Sequence, residues 1–183
     1  MKAIDPRVTF TELQQWPDDG RQYELYDGEV IVVPSPFPRH QRVGSNIEEV
    51  LRDYERAAGG CVMRAPLDIV FSEHNVLQPD LVYFCEERRG RIHDWQETRA
   101  ALDLAVEVLS RSTEARDRGR KKELFARFGV REYWIVDPRQ NTAEVYELGG
   151  SQYELAGAFG ESEQVRSATL PNLSCPADRI FAE

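Results

Sequence analysis

Alternating and helically spaced apolar residues divide the chain into a series of short strands and three helices. Gln22 to Tyr26 and Glu29 to Val33 flank Asp27-Gly28, a pair that suits the left-handed backbone of a two-residue hairpin turn. Upstream, Thr9-Phe10-Thr11-Glu12 has the spacing of a capping box and opens a short helix through Trp16. Pro34-Ser35-Pro36-Phe37-Pro38 breaks the second hairpin strand. From about His40 to Ala58, Val43, Ile47, Val50, Leu51 and Tyr54 recur at helical spacing, and Gly59-Gly60 ends that helix. Three apolar runs then predict strands: Cys61 to Phe71, Leu81 to Cys85, and Asp103 to Leu109. The charged stretch from Glu86 to Arg99 reads as a surface loop. Thr113 caps a further helix that ends at Gly129. Strands Glu132 to Val136, Ala143 to Leu148 and Gln152 to Leu155 follow, with turns at Asp137-Pro138 and Gly149-Gly150. With no repeat or linker, residues 1–183 predict one α/β domain: a mixed central β-sheet flanked by helices, with antiparallel C-terminal strands.

Two acids break this pattern. Asp80 follows Gln78-Pro79 and precedes Leu81-Val82-Tyr83-Phe84, and Glu107 interrupts Leu104-Ala105-Val106 and Val108-Leu109. Burying an ionised carboxylate costs several kcal/mol unless it is paired or binds a metal. On neighbouring strands the two could share a hard divalent cation, which prefers oxygen ligands. Acids capped by backbone N–H groups or paired with arginines explain the pattern equally well. Glu24 and Asp68 are the other carboxylates in strands; Asp68 is a candidate third ligand or an arginine's partner.

In the helix after Glu107, Leu124, Phe125 and Phe128 define the inward stripe. Counting back by three or four residues puts Lys121 and then Asp117 on the same face, with Lys122 turned toward solvent. An inward lysine needs an anion. Asp117, one turn away, is one partner; a substrate phosphate or a metal-bound water is the other, and the favoured one. His40 extends the Val43-Ile47 stripe back to its helix start, where a core or capping role is the favoured reading.

Composition narrows the setting. A chain of 183 residues that is 41% hydrophobic can bury a core and is not of a disordered class. No apolar run reaches the roughly 20 residues that span a bilayer, and Met1-Lys2-Ala3-Ile4-Asp5-Pro6 lacks a signal-peptide apolar region. Cys61, Cys85 and Cys175 form no CxxC pair, which points to a reducing cytoplasm. His40, His74 and His93 lack metal-ligand spacing. The net charge of −9 argues against indiscriminate nucleic-acid binding. Yet Arg111, Arg116, Arg118, Arg120, Lys121 and Lys122 outnumber Glu114 and Asp117 within one short stretch, which could hold phosphates locally.

Five segments stand out, in order: Tyr23-Glu24-Leu25-Tyr26-Asp27-Gly28-Glu29, Gln78-Pro79-Asp80-Leu81-Val82, Asp103-Leu104-Ala105-Val106-Glu107-Val108-Leu109-Ser110, Asp117-Arg118-Gly119-Arg120-Lys121, and Gly129-Val130-Arg131-Glu132-Tyr133-Trp134-Ile135-Val136-Asp137-Pro138. Together they resemble the Uma-type endonuclease family, whose fold is that of PD-(D/E)xK restriction endonucleases. The resemblance implies a restriction-endonuclease-like core presenting Asp80 and Glu107 at one end, with Mg²⁺ (or Mn²⁺) between them and the Val108 carbonyl as a further ligand. It also shows a departure. The wider fold carries a lysine two residues after the glutamate, where this chain has Leu109. Either Lys121 has taken over the lysine's role or catalysis is impaired.

These readings converge on Mg²⁺-dependent hydrolysis of DNA. Asp80 and Glu107 would hold the metal, Lys121 would serve the water or phosphate, and Arg116, Arg118, Arg120 and Lys122 would hold the backbone. Glu24, Asp68, His40 and Asp117 stand behind them. The rival is a nuclease fold kept for nucleic-acid binding or oligomeric interaction, which Leu109 and the acidic charge favour. An enzyme acting on a small phosphorylated substrate is a third reading, without a glycine loop to support it. Tyr146, Tyr153 and Phe159 on the C-terminal strands suggest a covered edge, hence a homodimer.

Overall fold

Asp27 and Gly28 both take positive φ (51° and 85°), as a two-residue turn demands. They join β1 (Gln22–Tyr26) and β2 (Glu29–Val33), which pair antiparallel along their whole length as expected. The structure, a computed structural model, describes residues 7–183; residues 1–6, read above for a signal region, lie outside the described residues. Thr9 closes the expected capping box on a helix shorter than predicted, α1 (Phe10–Leu13).

The run from Cys61 to Phe71 is not one strand. It splits into β3 (Cys61–Arg64) and β4 (Ile69–Ser72), which belong to different sheets. Pro66 lies at the break, and proline has no N–H to give to a ladder. β4 pairs with β5 (Asn75–Leu77), too short a strand to show in the pattern, and the order β2-β1-β5-β4 completes a four-stranded sheet.

The larger sheet contains β6 (Leu81–Phe84), β7 (Leu104–Val108), β8 (Glu132–Asp137), β9 (Thr142–Gly149) and β10 (Gln152–Gly160), in the order β10-β9-β8-β7-β6-β3. β7 and β8 run parallel and the other neighbours antiparallel, so the sheet is mixed, as predicted. Beyond it lie β11 (Gln164–Arg166), β12 (Ser174–Pro176) and a terminal helix that the apolar pattern did not reveal. The expected loop after β6 also contains one helical turn, α3 (Glu86–Arg89).

Helices cover both faces. α2 (Pro38–Ala58) buries Val43, Ile47, Val50 and Leu51 against Leu104, Val106 and Val108 on one face. On the other face, Leu124 and Phe125 pack on Ala105, Leu109, Tyr133 and Ile135. They belong to a helical segment in three parts: α4 (Glu114–Arg116), a π-turn (Asp117–Lys121) and α5 (Lys122–Arg127). Thr113 precedes it without capping it through the side chain; its hydroxyl instead accepts the Ser110 N–H at 3.4 Å. Every residue of β7 is buried, as befits a strand covered on both sides. Side chains alternate along it, so Glu107 shares the α5 face with Ala105 and Leu109.

Gly60, between α2 and β3, has φ 87°, and a Cβ there would meet the Phe84 carbonyl and lie 2.6 Å from the Tyr83 hydroxyl. Gly60→Ala is therefore expected to cost about 1–3 kcal/mol, read as a lower urea midpoint; an unchanged midpoint would contradict it.

Tyr146, Tyr153 and Phe159 are half-buried against the chain's own core, and Tyr153 donates to the Val130 carbonyl at 2.8 Å. β10 ends the strand order of the larger sheet, and Leu155 on it is 57% exposed. Among the described residues no helix is long and apolar enough to cross a membrane.

Candidate active site

β6 and β7 are antiparallel with Leu81 opposite Val106, which brings Asp80, one residue before β6, beside Glu107. The proline before Asp80 directs the chain out of β5, and the next strand begins only at Leu81. Asp80 Oδ2 accepts the Val108 N–H at 2.8 Å and lies 3.2 Å from His40 Nε2. His40 is thus part of the site and not a core or capping histidine, because the start of α2 abuts the β6 end of the sheet. Burial alone would lower the His40 pKa, but the hydrogen bond and charge of Asp80 outweigh it and raise the pKa.

Lys121 projects from the π-turn onto the same face as Glu107. Its Nζ is 2.6 Å from Glu107 Oε1, 2.8 Å from Glu24 Oε1, and donates to the Gln78 carbonyl at 3.3 Å. Asp117, the alternative partner read from the sequence, is not among these contacts. An α-helix would stack residues four apart, whereas the wider π-turn lets both reach the cleft without pairing. The position two residues beyond Glu107 is apolar as the sequence requires: Leu109 is buried against Leu124 and Phe125.

Glu24 is more central than its place among the outlying candidates suggested. It is wholly buried, and it accepts the Gln78 N–H at 2.8 Å and the Tyr26 hydroxyl at 2.8 Å. The available signal was the one that singled out Glu107, a carboxylate within an apolar strand. Gln78 had no such signal; it ties Glu24 and Lys121 by its backbone and Asp68 by its side chain, at 2.7 Å. Asp68 is held there and does not line the cleft.

One ammonium among several acids divides their behaviour. Burial pushes the Glu24 pKa up, but Lys121 and the Gln78 N–H outweigh it and hold it below the usual range. Burial pushes Glu107 well up, and repulsion from Asp80, Asp117 and Glu24 keeps Lys121 from offsetting it. Lys121, which burial alone would neutralise, is raised by Glu107 and Glu24 and stays charged.

The basic stretch is mostly spent on internal pairs. Arg118 makes two 2.9 Å bonds to Glu144, and Arg120 pairs with Glu29 and the Tyr26 carbonyl. Lys122, expected in solvent, is half-buried with Nζ 3.3 Å from the Tyr146 ring centre, because β9 and β10 extend beneath α5. Of these four, Arg116 alone lines the cleft, its guanidinium 5.9 Å from the Tyr26 ring centre.

That cleft has a volume of about 160 Å³ and is walled by His40, Asp80, Glu107, Arg116, Asp117 and Lys121, among others. Among the described residues, the buried side-chain atoms without a hydrogen-bond partner are His40 Nδ1, Gln78 Oε1, Glu107 Oε1, Arg116 Nε and both carboxylate oxygens of Asp117. Of these, Glu107 Oε1 faces the Lys121 ammonium at 2.6 Å as an ion pair. Every one of these residues lines this one cleft. Folded proteins rarely leave buried polar atoms unpaired, so their convergence marks a place for a polar ligand. No three His, Cys, Asp or Glu side chains among the described residues are grouped as a ready metal cage. Asp80 and Glu107 are hard oxygen donors, and Mg²⁺ commonly takes one or two carboxylates and keeps water for the rest.

A search of curated proteins finds no match. Among solved structures, a "putative nuclease belonging to DUF820" from Anabaena variabilis superposes with a TM-score of 0.78, covering 96% of this chain and 98% of that one at 21% sequence identity. At that identity the likeness is one of fold, and it covers nearly the whole chain. The sequence itself matches a family model over residues 10–178, nearly the whole described chain, and on that match the chain belongs to the Uma2 family, described as "Putative restriction endonuclease".

Proposed function

We propose that this protein is a divalent-metal-dependent endonuclease that hydrolyses DNA phosphodiester bonds. The observation that carries the reading is the convergence of unpaired buried polar atoms on the cleft shared by Asp80, Glu107 and Lys121. Asp80 and Glu107 would hold Mg²⁺ or Mn²⁺, with the Val108 carbonyl as a further oxygen donor. Bound there, the cation supplies charge neutralisation at the phosphate and a more acidic water.

The chain's own groups supply the rest. The Val108 N–H and His40 fix the Asp80 carboxylate in one orientation. Glu24 and the Gln78 carbonyl anchor the Lys121 ammonium at the cleft wall, where it stabilises charge developing on the phosphate oxygens. Arg116, loosely held at 3.9 Å from both Glu24 and Asp117, is free to give its Nε–H to a phosphate oxygen.

Leu109 is the specific observation favouring the rival, a non-catalytic nuclease fold that binds nucleic acid or another protein. Calorimetry and cleavage assays separate the two. Wild type should bind Mn²⁺ and cut DNA, and Asp80→Asn and Glu107→Gln should each lose both while remaining folded. Mn²⁺ binding unchanged in both variants would end the metal reading. Wild type that binds DNA but cuts no form of it would establish the rival.

A further inference from the structure

The cleft contains one acid for which neither the metal reading nor the fold has a use. Asp117 is 1% exposed, and neither of its carboxylate oxygens has a partner at ordinary hydrogen-bond distance, although the Thr113 hydroxyl faces it. Elsewhere this fold satisfies its buried acids. Asp103 accepts from the Cys85 N–H and Arg131, Glu132 from Trp134, Ser167 and Thr169, and Asp137 from Arg139. The cations near Asp117 do not do the same for it: Lys121 is taken up by Glu24 and Glu107, and Arg116 Nε stays 3.9 Å away. The residue also sits on the π-turn, an irregularity that recurs at functional sites and here faces the cleft.

We infer that Asp117 is the general base of the cleft, accepting a hydrogen bond from the attacking water and then its proton. This rests on the hydrolytic reading above. As the water oxygen bonds to phosphorus, one O–H pair of electrons moves into that bond and the proton passes to an Asp117 oxygen. The phosphorus–oxygen bond to the leaving nucleotide breaks, and the departing oxygen takes a proton from solvent. A buried carboxylate with lone pairs facing the cleft is suited to this: burial raises its pKa, outweighing the pull of Lys121, the Thr113 hydroxyl and Arg116, and so brings its basicity nearer to the working range.

Three measurements on the full chain test it: melting temperature without metal, Mn²⁺ binding, and steady-state cleavage of DNA with Mg²⁺. Asp117→Asn should melt no lower than wild type, since an orphaned charge is replaced by a neutral group of the same shape. It should bind Mn²⁺ within about threefold of wild type, and should lose about a hundredfold or more in kcat with KM little changed. Asp117→Ser, which leaves room for a water, should show the same three results. A melting temperature lowered by several degrees in both variants would make Asp117 a structural partner of Lys121 and Arg116. Lost Mn²⁺ binding would make it a metal ligand, and undiminished cleavage would make it idle; each overturns the inference. Wild type that cuts no DNA overturns the hydrolytic reading itself, and this inference with it.

Discussion

Replacing Lys121 with methionine is expected to cost the fold about 3–5 kcal/mol at about pH 8, the penalty for removing one side of a buried ion pair. Lys121 is 2% exposed and faces Glu107 and Glu24 at 2.6 and 2.8 Å, so water cannot take its place. The sign of the pH dependence follows from the shifts. Glu24 has its pKa lowered by Lys121, so its stabilisation is present at neutral pH and is lost as pH falls through that lowered value. Lys121 has its pKa raised, so its share is complete at neutral pH and lost only as pH rises through the folded value. Glu107 is raised well above the usual range, so the folded state favours its protonated form and loses stability as pH rises from the usual carboxylate range through that raised value. Without the ammonium, Glu24 joins Glu107 in preferring protonation. The deficit of the variant should therefore shrink between about pH 8 and about pH 5, as both acids neutralise. Urea unfolding at the two pH values measures it. Equal deficits would mean that Lys121 acts by filling space and not by charge.

The second large effect separates two neighbouring lysines. Lys121→Ala should reduce cleavage by about a hundredfold or more, the usual loss of one charged donor to a transition state. Lys122→Ala should leave cleavage within about twofold and remove only the contact with Tyr146, worth about 0.5–1 kcal/mol. Arginine at Lys121 should not rescue, because a planar fork cannot meet Glu107, Glu24 and the Gln78 carbonyl from one point. Cleavage is compared under conditions where circular dichroism shows each variant folded. Similar losses at both positions would refute the assignment of Lys121 to the chemistry.

Much of this was legible in the chain because burial leaves a periodic trace. The β1–β2 hairpin, the stripe of α2, and the carboxylates Asp80 and Glu107 amid apolar strands follow from local pattern and desolvation cost. Partner identity leaves no such trace. Whether β3 and β4 share a sheet depends on a break at Pro66 and on pairing with distant strands. The inward phase of Lys121 follows from its helix, but which acid holds it depends on β1, almost a hundred positions earlier. The arginines looked available because a charge run shows only its own residues. Glu29 and Glu144, which neutralise Arg120 and Arg118, come from other parts of the chain.

The π-turn also makes the site modular. Lys121 inherits its angular setting from α5, whereas Arg116 and Asp117 take theirs from α4, and the extra backbone of Asp117–Lys121 is the coupling between the two settings. Gly119 sits within that coupling with open space around it. Losing one residue there would let a plain α-helix run through and would swing Arg116 and Asp117 by about 100° relative to Lys121. The lysine would keep its two acids, and the fold its buried ion pair, while the unpaired carboxylate left the cleft. On the proposed function, a single-codon deletion would thus be a short evolutionary step from cleavage to an intact scaffold of the same shape.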